Sequence, residues 1–183
     1  MKTLNKMSIL ALLVAGLLAT TWVNAAGIGN NVAVRLAGTG QAYGGNGLFE
    51  EYGLDPVDAL CFDVDLIDAK TGKVIGKASD CLSDINSSTT DNGLMLTGTT
   101  FFFLEGGTLI SQGLTTVQPI LHGSADFTHI TGAVPSPTDN GVIYGDGKFK
   151  NANGPVRLSG AVNLSALNSD GLITFDCVFI IDI

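Results

Sequence analysis

Leu60–Leu82, LCFDVDLIDAKTGKVIGKASDCL, decides the fold because it reads as one β-hairpin in two independent ways. If Lys70-Thr71-Gly72 is a loop with Gly72 in the left-handed conformation glycine tolerates, Ala69 faces Lys73 and the rest of the register follows. Cys61 then lies opposite Cys81, which is where a disulfide needs them. The same register places Cys61, Asp63, Asp65 and Ile67 on one face, opposite Cys81, Ser79, Lys77 and Ile75. Leu60, Phe62, Val64 and Leu66 share the other face with Leu82, Asp80, Ala78 and Gly76. One face is polar and stapled, and the other is apolar. A slip of one residue would separate the cysteines and mix the faces, so the cysteine pair and the alternation specify the same register.

The chain around this hairpin has 183 residues and is acidic, with 17 Asp and Glu against 9 Lys and Arg. Its first residues, MKTLNKMSILALLVAGLLATTWVNAA, carry two lysines, an apolar run from Ile9 to Leu18 and small residues before a cut after Ala25. This is the pattern of a secretory signal peptide over 1–25, and the run is shorter than the ~20 residues of a spanning helix. Cleavage leaves 26–183 as a single domain of ordinary size, exported to the periplasm or secreted. Removing Lys2 and Lys6 makes it more acidic still, which disfavours nucleic acid and anionic membranes as partners. Three cysteines in an exported chain fit one disulfide, Cys61 with Cys81, and one thiol left over. Cys177 alternates with Phe175, Phe179 and Ile181, so it reads as a buried, inert thiol.

After the leader no helical stripe occurs, and short or alternating apolar runs are divided by Gly, Asn, Asp and Ser. The candidate strands are 32–37, 60–69, 73–82, 93–104, 108–119, 125–131, 141–150, 155–164 and 172–183. The class is all-β. Short turns such as Glu105-Gly106-Gly107 and Asn151-Ala152-Asn153-Gly154 favour an antiparallel meander, and about eight strands close a small barrel. A two-sheet sandwich satisfies the same pattern. Two stretches, Gly38–Asp58 and Gly132–Asn140, have the length of lids over a barrel mouth or of plain surface loops.

The order of segments then acquires a likeness. Ile67–Cys81, IDAKTGKVIGKASDC, is followed by LTGTTFFFLEGGTLISQGLTTVQP from Leu96, VIYGDGKFKNANGPVRLSGAVNL from Val142, and ITFDCVFIIDI at the end. This resembles the allene oxide cyclase barrel and the dirigent proteins over Leu60 to Ile183. In that superfamily a Gly-Gly-Thr-Gly-x-Phe turn leads into an Ala-x-Gly turn. Gly145, Gly147, Phe149, Ala152 and Gly154 match, while Tyr144 and Asp146 replace the first glycine and the threonine. The likeness implies a small barrel, often a homotrimer, with a mainly apolar cavity and neither metal nor organic cofactor. Its members act on an unstable fatty-acid epoxide or steer the coupling or cyclisation of phenolic intermediates.

Within such a barrel Asp80 is the candidate catalytic carboxylate, since it falls on the apolar face beside Phe62. Burial would raise its pKa and keep an acid protonated for general-acid work. The rival reading puts Asp80 at a barrel end, accepting backbone hydrogen bonds or meeting Arg35 or Arg157. Phe62, Tyr144, Phe102 and Tyr43 are the candidate ligand-binding side chains. Phe101-Phe102-Phe103 must place aromatics on both faces, which suits an oligomer as well as a monomer. Asp63 and Asp65, the latter opposite Lys77, read as solvated pairs worth little. His122 and His129 have no Cys or Glu at ligand spacing, so no metal site is expected. No Gly-x-Ser-x-Gly elbow supports a hydrolase, and the glycines near Asp146 precede a strand, unlike a nucleotide cradle. Two functions fit: an exported barrel that binds a small apolar, phenolic or lipid-like molecule and guides its cyclisation or coupling without a cofactor, or a surface protein with a packed barrel interior that binds another protein.

Overall fold

The computed structural model describes residues 31–87, 93–121, 126–133 and 139–183. The expected signal peptide over 1–25, His122, Pro135 and Pro137 lie outside them. The strands are β1 (Asn31–Gly44), β2 (Leu60–Asp68), β3 (Val74–Ser87), β4 (Leu94–Leu104), β5 (Gly107–Pro119), β6 (His129–Ala133), β7 (Asn140–Gly145), β8 (Val156–Asn163) and β9 (Leu172–Asp182). Two short helices, α1 (Asn46–Glu51) and α2 (Leu167–Asp170), lie between them. All pairings are antiparallel, and β1 to β6, β8 and β9 form a closed ring in which β5 pairs β4, β6 pairs β8, and β9 returns to β1. This is the closed eight-stranded barrel with meander order. Closure removes the free edges an open sheet would expose.

The ninth strand has a definite place. β6 pairs with Thr116–Pro119 of β5 and β7 pairs with Leu109–Gly113 of the same strand. Both run in the same direction, so β7 takes up the wall position where β6 leaves it. At the join, a side chain at Gly113 would run into the backbone of Asp139 and Asn140. Glycine is the residue that lets the chain re-enter the wall there.

The β2–β3 hairpin keeps the expected register from Leu60↔Leu82 through Cys61↔Cys81 and Phe62↔Asp80 to Leu66↔Gly76. Cys61 and Cys81 form the disulfide. Gly72 has φ +70°, and the turn is pinned by Asp68, whose carboxylate accepts from the Thr71 hydroxyl and from the backbone N–H groups of Thr71 and Lys70. The register departs from expectation only beside this turn, where a bulge pairs Ile67 with Val74 in place of Ile75.

The apolar face of the hairpin is the lumen. Val34, Leu36, Phe62, Val64, Leu66, Phe102, Leu109, Val156, Phe175, Phe179 and Ile181 form one buried cluster there. The end of the barrel around Phe62, Phe102, Phe149 and Phe179 is solidly packed, with Phe102 edge-on to Phe179 at 5.2 Å.

A second buried cluster lies outside the wall. The segment from Gly45 to Ala59, including α1, folds down over the outer face of the sheet. Phe49 meets Phe101 edge-on at 5.3 Å, and Tyr52 contacts Phe101, Phe103 and Tyr144. The disulfide is fully buried beneath this cover. Gly38–Asp58 is therefore no lid over the mouth. Its first part, Gly38–Gly44, continues β1, because β9 and β2 supply partners on both sides of it. Its second part buries aromatics against the outside wall. The outward aromatics of β4 are thus covered by this chain's own segment. No helix among the described residues is long and apolar enough to cross a membrane.

Candidate functional site

The lumen is packed at one end and hollow at the other. A cavity of about 80 Å³ opens toward the end where β3, β5 and β8 finish and β4 and β9 begin. Leu82, Leu94, Leu96, Val117, Leu158, Val162, Ile173 and Phe175 make most of its wall. Leu164, and Leu167 of α2, stand at the mouth. Ile85 joins them through a bulge. Asp84 and Ile85 oppose the single residue Leu96, and Asp84 has φ +49°. The extra residue flips the alternation and turns Ile85 to the lumen side, half exposed.

The space has a local cause. Gly98 of β4 faces the lumen and lines the cavity without a side chain, while the side-chain position of its β5 partner Gly113 is taken by the backbone of Asp139 and Asn140. One level deeper the pairing runs Phe62↔Asp80↔Thr100↔Ser111 across β2, β3, β4 and β5. Three adjacent strands thus contribute a polar row at the cavity floor, below an apolar wall. Asn140 of β7 and Cys177 of β9 line the same cavity.

Asp80 is buried, with 9% of its surface exposed, and its carboxylate accepts a 2.6 Å hydrogen bond from the Thr100 hydroxyl. Burial pushes its pKa up to about 6, against the opposing pull of the Thr100 bond. Neither arginine reaches it. Arg35 pairs with Asp176 on the outer face and Arg157 pairs with Asp182. The barrel-end location and the arginine contact expected as one alternative are therefore corrected: Asp80 is an interior carboxyl held by a threonine. Cys177 is buried and free, and its thiol is pushed up to about 12 by burial and by the Asp80 charge. It is a poor nucleophile at neutral pH.

The predicted site residues divide between two faces. Asp80, Phe62 and Phe102 point into the lumen; Phe62 and Phe102 fill its packed end and do not line the cavity. Tyr43 and Tyr144 are on the outside. The Tyr43 hydroxyl donates to Asp63 at 2.8 Å, and Tyr144 stacks edge-on to Tyr52 at 5.4 Å. Asp65 pairs with Lys77 on the exposed outer face. His129 shares a 2.7 Å hydrogen bond with the Thr128 hydroxyl. Among the described residues no cluster of three or more His, Cys, Asp or Glu has metal-binding geometry.

Sequence reasoning misses Thr100, Ser111, Asn140 and the cavity position of Cys177. A signal exists for the first two. Extending the register of the β4–β5 hairpin through its Glu105-Gly106 turn puts Thr100 opposite Ser111, and Asp80 lies across from Thr100 on the next strand. Asn140 follows the segment 134–138 and has no such frame.

No protein-family model matches this chain, and no curated protein matches it in sequence.

Proposed function

We propose that this is an exported barrel, similar to the allene oxide cyclase and dirigent proteins, that binds a small and mainly apolar molecule in its lumen and guides its cyclisation or coupling without a cofactor. The observation that carries this is the cavity itself, apolar in its wall, open at one end, and floored by Asp80, Thr100 and Ser111. At about 80 Å³ it is small beside the ~300–1,000 Å³ of drug-sized sites, so it suits a compact ligand or one end of a longer molecule whose remainder leaves by the mouth. Its contribution would be shape and exclusion of water, with Asp80 exchanging a proton or a hydrogen bond with the bound intermediate. The disulfide fits an oxidising compartment, in keeping with export.

Native mass spectrometry of the protein from its own exported fraction, followed by organic extraction, tests this. A stoichiometric apolar molecule released from the lumen supports the proposal. An empty protein to which apolar compounds do not bind refutes it. In that case the second function gains, a surface protein. Leu114 and Ile143, 48% and 44% exposed, flank one shallow depression on the outer wall at the β6–β7 join and favour that reading.

A further inference from the structure

We infer that the lumen is built for a molecule with an apolar body and a primary ammonium head, the head seated on the Asp80–Thr100–Ser111 row and the body against the wall toward the mouth. This rests on the pocket reading above and adds the class of the ligand.

The direction of insertion follows from where polarity lies. The carboxyl and its hydroxyl partners are at the floor, and the wall and mouth are mainly Leu, Ile, Val and Phe, with Thr115 and Thr131 the hydroxyls above the floor row. A ligand entering tail first would set an apolar end on the Asp80 carboxyl and the Ser111 hydroxyl and leave the floor row without a polar partner, which costs free energy. The head therefore goes in first.

The charge of the head follows from what faces Asp80. The flanking strands present Phe62 on β2 and Thr100 on β4. Across the cavity stand Ser111 on β5, Thr131 on β6, Asn140 on β7, Leu158 and Val162 on β8, and Cys177 on β9. Among the described residues that line the cavity, none is Lys, Arg or His. The ion pairs among the described residues leave Asp80 out. An ionised carboxylate in such surroundings lacks a counter-ion, and buried charges in proteins are ordinarily paired. An ammonium group supplies the missing charge and three donors. The row supplies acceptors in the Asp80 carboxylate and the Thr100 and Ser111 hydroxyls. A carboxylate ligand would meet repulsion, and an alcohol would offer a single donor. The acidic surface of the whole chain, 17 carboxylates against 9 basic side chains, favours approach of cations.

A dependence on pH follows. Asp80 titrates near 6, while Cys177, pushed to about 12, stays neutral throughout. His129 bonds to Thr128 and does not line the cavity. Ammonium binding is then strong above pH 6 and falls below it as Asp80 takes up its proton. At pH 5 roughly a tenth of the carboxyl remains ionised, so affinity drops about tenfold from its neutral-pH value.

Calorimetric titration with hexylamine, 1-hexanol and hexanoate at pH 7.5 and 5, in 0.3 M salt to suppress surface binding, decides the matter. The expected result at pH 7.5 is amine at least tenfold tighter than alcohol, hexanoate weakest, and loss of the amine's advantage at pH 5. Asp80→Asn should remove that advantage and keep alcohol binding. Thr100→Val, which leaves the carboxyl in place and deletes its donor, should move the midpoint of the amine pH profile upward. Equal binding of amine and alcohol, or a midpoint unmoved in Thr100→Val, overturns the ammonium assignment while leaving the pocket reading intact. Absence of saturable binding by all three compounds overturns the pocket reading as well.

Discussion

Replacing Asp80 with asparagine should make the protein more stable at neutral pH. A carboxyl ordinarily titrates at 3.8, and in the folded barrel Asp80 titrates near 6. The folded state therefore holds its proton more tightly than the unfolded chain does. The sign follows directly: the group costs nothing well below pH 3.8, the cost grows as pH rises from 3.8 to 6, and it is complete above 6. A displacement of about two pKa units corresponds to about 3 kcal/mol at pH 7.5 and to under 1 kcal/mol at pH 4. Asparagine keeps an oxygen for the Thr100 hydroxyl and carries no charge, so most of that cost should vanish. With a urea m value of about 2 kcal/mol per M, the unfolding midpoint of Asp80→Asn should rise by about 1.5 M at pH 7.5. At pH 4 it should nearly coincide with wild type. Far-UV circular dichroism in urea at the two pH values reads both. The Arg35–Asp176 pair works in the opposite sense, since Asp176 is held low by Arg35 and its contribution is lost on acidification. Both its members are about a third exposed or more, and it is worth under ~1 kcal/mol. A variant no more stable than wild type at pH 7.5, or an offset of equal size at pH 4, would refute the assignment of Asp80 as a desolvated interior carboxyl.

Other outcomes are equally exposed. Cys61→Ala with Cys81→Ala should lower stability by about 3 kcal/mol, the loop-entropy value for cysteines 20 residues apart, measured by urea titration. Phe101→Ala should cost about 3–5 kcal/mol and free the Gly45–Ala59 segment from its anchor, which limited proteolysis would register as new cleavage within that segment. Cys177 should resist iodoacetamide in the native protein and react once urea unfolds it; modification at the native rate of an exposed thiol would contradict its burial. Gly98→Leu should fill the cavity and abolish binding of apolar compounds while the circular dichroism spectrum stays that of the wild type, whereas unimpaired binding would move the ligand elsewhere.

What the sequence discloses is uneven for physical reasons. Register in the β2–β3 hairpin is legible because side-chain alternation has period two and the cysteines fix the phase, so the pairing of Phe62 with Asp80 follows from residue order alone. Short turns and strand number point to a meander, but a sandwich fits them as well, because closure depends on the long-range pairing of β9 with β1. By contrast, GTGQAYGG at 38–45 has the composition of a turn, yet most of it is strand. Hydrogen-bond partners on β2 and β9 override local propensity there. The cover formed by Phe49 and Tyr52 is hidden because α1 is too short to show a helical stripe. The site is half legible: alternation places Asp80, but assigning Tyr43 and Tyr144 to a ligand ignores which side of the wall their strands turn them to. Ile85 shows the same limit, since a single bulge residue reverses its facing and leaves no mark in composition.

The aromatic cover over the stapled hairpin also controls access to its sulfurs. Both sulfurs are sealed from solvent beneath Gly45 and Phe49, and a side chain at Gly45 would strike Cys61 Sγ. No oxidant can reach the pair once that segment is seated. Making or breaking the bond in the folded protein therefore requires that segment to lift from the hairpin. The contacts that seat Phe49 on Phe101 thus guard the staple as well as the wall, and a reductant reaches the sulfurs at the rate at which that segment opens.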